Sequence, residues 1–294
     1  SQKMVRLIFI FPFIVIYFLT FVSRYAFSGC FTNPSHRTKT FYENDTITFR
    51  NNFETGDLSG WKQTADWEVS ATEKISGEYS LKHSSKAING NSSIFKTIRP
   101  DLNNFDIQWS FQLKNGNWDP SSSNRFWFYL SADTIQTDLI NGWAAGVNIS
   151  GSSDLLELWR MRNGKADSLI VQSDLDWNAS TQAVITAKRT ARGNWTLDYQ
   201  KSGEAKSKLF TGNDPAFFPY KNIGIYFNYT PTRAGQLWID DISVIQFASE
   251  LFIQKISLVN SNTVTLTFNK PINPASIHTG NFKLTDESNK NIPI

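Results

Sequence analysis

From Ile47 to Ile245 the chain repeats apolar residues with a period of two, and no stretch sustains the 3.6-residue period of an amphipathic helix. Ile107-Gln108-Trp109-Ser110-Phe111-Gln112-Leu113 and Trp195-Thr196-Leu197-Asp198-Tyr199-Gln200 alternate throughout, as strands buried on one face do. Phe126 to Leu130 and Ile223 to Phe227 are apolar on both faces, which suits central strands whose second face is covered or binds a ligand. Asn115-Gly116, Asn141-Gly142, Asn163-Gly164, Arg192-Gly193-Asn194 and Ser202-Gly203 punctuate these runs with residues that tolerate tight reversals. The pattern predicts an all-β protein of about ten to twelve short strands, folded over 47–247 as an antiparallel jelly-roll β-sandwich. After Phe247 a new hairpin begins, in which Ile253 to Val259 turns at Asn260-Ser261-Asn262 and returns through Thr263 to Phe268. Leu251 to Ile294 supplies under half of the roughly 100 residues of an immunoglobulin-type sandwich, so a truncated Ig-like β domain is expected there.

The stretch Gln236 to Ile245, QLWIDDISVI, sets two carboxylates inside an apolar strand. Strict alternation would put Trp238, Asp240, Ile242 and Val244 on one face, so that Asp240 enters a core with the two aliphatic residues. A buried carboxylate must be paired or bound to a metal, so the stretch reads either as a closing strand tied by an ion or as an edge where both acids stay wet.

Composition excludes several function classes. A net charge of +3, from 29 basic and 26 acidic residues spread along the chain, forms no basic stripe for nucleic acid. Cys30 is the only cysteine, which excludes a disulfide framework and a CxxC metal site, so any metal falls to oxygen ligands or to the three histidines. Aromatic residues make up 14% of the chain, a composition suited to half-buried sheets and to flat stacking surfaces.

At the start, Lys3 and Arg6 precede an apolar run from Leu7 to Val22 that contains Pro12 and is shorter than the ~20 residues of a spanning helix. The pattern predicts a signal peptide over 1–28, cleaved after Ser28 of Ala26-Phe27-Ser28, and a linker over 29–46. Phe27-Ser28-Gly29-Cys30 also resembles a bacterial lipobox, which would lipidate Cys30, and a retained N-terminal anchor is the third reading. Each places the remainder outside the cytoplasm, at the cell surface or in the medium. Ser1-Gln2-Lys3 ahead of Met4, together with the half-length second domain, reads as a piece of a longer reading frame.

Asn52 to Trp61 (NFETGDLSGW), Ser76 to Lys82 (SGEYSLK) and Trp238 to Val244 (WIDDISV) resemble the edge motifs of concanavalin-like, jelly-roll carbohydrate-binding modules. Asn117 to Arg125, Leu139 to Trp143, Gly151 to Asp154, Arg192 to Trp195 and Tyr229 to Arg233 look like the N-terminal sandwich of large secreted bacterial proteins that carry Ig-like and lamin-tail domains further on. The resemblance implies a structural calcium ion held by Glu54, by carbonyls near Gly56 and Lys82, and by Asp240 or Asp241. Calcium accepts such a mixture of carboxylates and carbonyls. The other reading makes Glu54 a solvated turn acid and has Asp240 cap backbone amides.

A hydrolase on this fold needs two carboxylates projecting across the scissile bond, and Asp154, Glu157, Asp174 and Asp176 do not show the spacing that would provide them. His36, His83 and His278 lie in a linker, an early strand and the second domain, too dispersed to suggest a triad. The positive signal is aromatic. Trp127 and Tyr129 lie opposite the Phe126, Phe128 and Leu130 set, and with Arg125, Trp143 and Trp159 they are the expected ligand face for a polysaccharide or surface glycan. The expectation is a non-catalytic carbohydrate-binding or adhesion module, the alternative a structural spacer that presents downstream domains. The same rings could instead cover the second face of the sheet.

Overall fold

The computed structural model describes residues 5–8, 46–85, 88–102, 105–205, 207–218, 221–260, 263–269, 272, 284–285 and 291–292. The chain divides into two compact units, Phe41–Ser249 and a second formed by Ser1–Thr40 with Glu250–Ile294.

The first unit is an antiparallel sandwich of two sheets. The seven-stranded sheet runs in the order β11 (Lys165–Asp176), β10 (Leu155–Arg162), β9 (Gly142–Val147), β8 (Arg125–Ala132), β15 (Asn222–Tyr229), β6 (Gly90–Thr97) and β3 (Trp61–Lys62). The eight-stranded sheet runs β14 (Lys208–Asn213), β13 (Asn194–Lys201), β12 (Gln182–Arg189), β7 (Phe105–Asn115), β16 (Leu237–Ala248), β5 (Ser80–His83) and β4 (Trp67–Ser70), with β2 (Thr46–Asn51) also paired to β16. The total exceeds the ten to twelve strands expected, because short pieces such as β3 and β4 carry too few residues to show a period.

Alternation decides what each strand buries. Trp109, Phe111 and Leu113 of β7, Trp195 and Leu197 of β13, Phe126 and Phe128 of β8 and Ile225 and Phe227 of β15 all enter one inter-sheet core. Phe111 stacks on Phe128 with centroids 4.4 Å apart, and Trp109 stacks on Trp195 at 5.7 Å. Burying each such side chain contributes on the order of 1.5–3 kcal/mol, which makes this layer the main source of stability.

β16 departs from strict alternation. Leu237 and Ile239 face the core, and so do Ile242 and Val244, although 239 and 242 are an odd number of residues apart. The register against β7 slips between Asp240 and Ser243, and Asp241 takes a left-handed φ of 48°. The slip is a β-bulge, and it turns Trp238 and Asp240 to the outer face while both halves of the strand keep their aliphatic residues inside. Asp240 therefore does not share a face with Ile242 and Val244, contrary to the expectation from a period of two.

In the second unit β17 (Ile253–Asn260) and β18 (Thr263–Phe268) form the expected hairpin, β1 (Val5–Ile8) pairs antiparallel with β18, and β19 (Leu284–Thr285) pairs with β20 (Asn291–Ile292). The cleavage site expected after Ser28 and the lipidation site at Cys30 lie outside the described residues. Among the described residues no helix is long and apolar enough to cross a membrane.

His83 is fully buried on the inner face of β5, its ring 5.3 Å from Trp67, 5.1 Å from Phe227 and 4.4 Å from Tyr229. Its Nδ1 accepts the Gly235 amide at 2.9 Å, so the ring proton sits on Nε2, which has no partner. Burial pulls its pKa from 6.5 down to about 4, against the attraction of Asp66. The unfolded chain thus binds a proton before the native state does, and stability is lost as pH falls from about 6.5 to about 4, by up to ~3 kcal/mol. Replacing His83 by Gln keeps an acceptor for Gly235. Thermal melts between pH 7 and pH 4 should show a smaller acid-side fall for H83Q than for the parent, and parallel curves would refute this account.

Candidate functional site

Across the outer face of the seven-stranded sheet the registers place Glu157 opposite Gly146, Gly146 opposite Trp127, and Trp127 opposite Tyr226. The Trp127 and Tyr226 rings stack at 4.2 Å and 18°, and the Arg125 guanidinium lies 5.7 Å from the Trp127 ring. Gly146 fits because its strand approaches β8 closely, and a Cβ there would collide with Phe126 O and Trp127 Cβ. The floor between Glu157 and Trp127 is therefore bare backbone.

Trp159 stands two residues from Glu157 on the same face of β10, and its Nε1 donates to Glu157 Oε2 at 2.7 Å. Glu157 is only 5% exposed. Burial pushes its carboxyl above the usual carboxylate range, and the Trp159 bond partly holds it down. Arg125, Trp159 and Tyr226 are half-buried and reachable, whereas Trp127 and Tyr129 are covered, packed with Phe95, Ile140, Ile149 and Met161. The expected ligand face is thus real as a cluster, but two of its rings form the layer beneath it.

Trp143 does not belong to that face. It points inward with Ala145 and Val147, fully buried, its Nε1 donating to Asp214 Oδ2 at 3.0 Å and its ring 5.2 Å from both the Trp195 ring and the Arg189 guanidinium carbon. Pairing of β9 with β8 and β10 sets the parity of the strand, and the nearby Asn141-Gly142 turn does not reveal it. Glu157, by itself one of four scattered acids in the sequence, belongs to this face. The Glu157-Leu158-Trp159 spacing, which puts acid and indole on one face, is the signal that identifies it.

Of the residues expected to hold calcium, Glu54, Asp240 and Asp241 meet at the loop 76–80. Asp240 is fully buried, and its Oδ2 accepts Ser80 Oγ at 2.7 Å, Ser76 Oγ at 3.0 Å and the Ser76 amide at 3.3 Å, while Oδ1 accepts the Asp241 amide at 2.7 Å. Burial raises its pKa, and these bonds oppose the rise. Asp241 accepts Gln112 Nε2 at 2.6 Å and Ser76 Oγ at 3.0 Å. Glu54 holds the other side of the loop, accepting the amides of Glu78 and Tyr79, and a Cβ at Gly77 would collide with its carboxylate. Lys82 is paired on both sides within the sheet, to Glu68 and to Trp238, and Gly56 sits in an exposed turn with its amide on Phe53 O. Among the described residues no three His, Cys, Asp or Glu side chains gather as a metal group. As arranged here Glu54 and Asp240 give their oxygens to N–H and O–H donors and clasp the loop over β16.

No protein-family model and no curated protein sequence matches the chain. Among solved structures it is similar to the exoplasmic/lumenal domain of VIP36 in a Ca2+- and Man2-bound form, with 11% identity over 70% of this chain and 88% of that one and a TM-score of 0.49. It is also similar to the CBM2 module of the evolved Dit protein of Lactobacillus casei BL23 phage J-1, with 11% identity over 70% and 97% and a TM-score of 0.48. A third is the carbohydrate esterase vb_24B_21 of the Shiga toxin-encoding bacteriophage phi24B, with 13% identity over 69% and 99% and a TM-score of 0.47. Likenesses this distant carry no argument about function, which rests on the site itself.

Truncating Asp240 to Ala strands the Ser76 and Asp241 amides and the Ser80 hydroxyl, while the Ser76 hydroxyl keeps Asp241, and should lower stability by about 1–3 kcal/mol. Urea titration should show that loss equally with calcium and with chelator. Calcium stabilisation of the parent that disappears in D240A would restore the ion reading. Glu157→Gln removes a desolvated charge while keeping an acceptor for Trp159. A raised folded pKa makes the parent lose stability as pH rises through it, so melts from pH 5 to pH 8 should favour E157Q increasingly toward the alkaline end. A variant less stable than the parent at every pH would show that the charge itself is needed.

Proposed function

We propose that the sandwich is a non-catalytic, extracellular carbohydrate-binding or adhesion module of a larger secreted or cell-surface bacterial protein, with an Ig-like domain beginning near Leu251. The observation that carries this reading is the half-buried set of Arg125 and Tyr226, both against the Trp127 ring, and Trp159, hydrogen-bonded to the Glu157 carboxylate on the same outer face. Flat rings suit the apolar faces of sugars, and a guanidinium and a carboxylate suit their hydroxyls. The partner is a polysaccharide or surface glycan. Export through the N-terminal apolar run, with cleavage after Ser28 or lipidation at Cys30, belongs to the same reading. A structural spacer is the second reading, favoured by the burial of Trp127 and Tyr129.

The test is a glycan array and polysaccharide pull-down with the full chain beside W159A and Y226A. Both residues are half-buried, whereas truncating buried Trp127 would cost about 3–5 kcal/mol of stability and obscure the result. Each truncation should weaken retention by about 1–3 kcal/mol if sugar stacking is worth as much as base stacking. Retention on no glycan would favour the spacer, and release of reducing sugar would overturn both readings.

A further inference from the structure

On the outer face of the eight-stranded sheet Trp238 has a lysine as its direct cross-strand partner on each side, Lys82 on β5 and Lys114 on β7. The two ammonium nitrogens lie 5.5 and 5.2 Å from the indole centroid. The indole is 2% exposed and its Nε1 proton is buried without an acceptor, while both lysines are half-buried. Among the described residues neither lysine forms an ion pair, although Arg160, Arg162, Lys188 and Lys208 all do. Lys114 donates to the Glu73 carbonyl at 3.3 Å. Glu68 stands opposite Lys82 on β4 and forms no ion pair with it, and Asp240 and Asp241 are taken up by Ser76, Ser80 and Gln112.

Like charges fixed in one row repel, and a ring quadrupole offsets that repulsion only in part. The row sets two ammonium groups against a single carboxylate, Glu68 at its end, which forms no ion pair with either lysine. We infer that Lys82, Trp238 and Lys114 form a site for an anionic group, a carboxylate or sulfate, carried by an acidic sugar chain or free in solution. The site is on the opposite sheet from Arg125, Trp159 and Tyr226 and does not rest on the reading of that face.

Calorimetric titration of the full chain with polygalacturonate, its fully methyl-esterified form, dextran sulfate and free galacturonate tests the site. The two polyanions should bind at low salt and weaken at high salt, and the esterified polymer should not bind. Lys82→Gln with Lys114→Gln should weaken binding about tenfold or more, whereas Lys82→Arg with Lys114→Arg should retain it, which separates loss of charge from loss of fold. Saturation by free galacturonate assigns the site to small carboxylates, and retention of the polymers alone assigns it to acidic polysaccharide. Failure of both polyanions to bind the parent, or equal binding by the Gln pair, would overturn the inference.

Discussion

The buried carboxylate of Asp240 accepts hydrogen bonds from Ser76, Ser80 and the Asp241 amide, and this full set of donors lets β16 run through the middle of the eight-stranded sheet with an acid on it. Without those donors the desolvated group would cost several kcal/mol, comparable with the whole net stability of a domain. The bulge that creates the arrangement also keeps Ile239 and Ile242 both in the core. One inserted residue thus serves two layers, since it preserves the apolar packing inside and turns a polar anchor outward. Glu54 completes the clasp from the far side of the Ser76–Ser80 loop. The motifs at 52–61, 76–82 and 238–244, far apart in sequence, converge because each supplies one part of that clasp.

The two outer faces of the sandwich solve different problems. On the seven-stranded sheet, Trp127 and Tyr129 need a cover, and Ile140 and Ile149 provide it. That cover leaves Trp159, Tyr226 and Arg125 at its margin, so the accessible aromatic surface is narrower than the stretch Phe126 to Leu130 suggests. On the eight-stranded sheet the outward positions are mostly polar, and Trp238 is shielded by the lysine stems beside it.

Much of the architecture was legible because side-chain alternation is a local property. β7, β8, β13 and β15 lie where the period of two placed them, and β17 and β18 pair as the two runs after Phe247 indicated. What escaped depends on neighbours that one strand cannot report. The parity of Trp143 is set by pairing with β8 and β10, the bulge at Asp241 by the slip against β7, and the cover over Trp127 by loops on either side of β9. His83 carried no sequence signal because its character comes from Trp67, Phe227 and Tyr229, which belong to other strands. For the site, the aromatic positions on the outer face were readable, and their accessibility was not.

The pairing of β2 with β16 has a mechanical consequence. Thr46 lies opposite Gln246, so the chain enters and leaves the sandwich side by side, at the same end of one antiparallel ladder. A tension applied across these two points loads the ladder bonds one after another, as in opening a zipper, and never all at once. Peeling of β2 would therefore start at Thr46 and meet its first resistance from side chains at Phe49, which packs against the inter-sheet core.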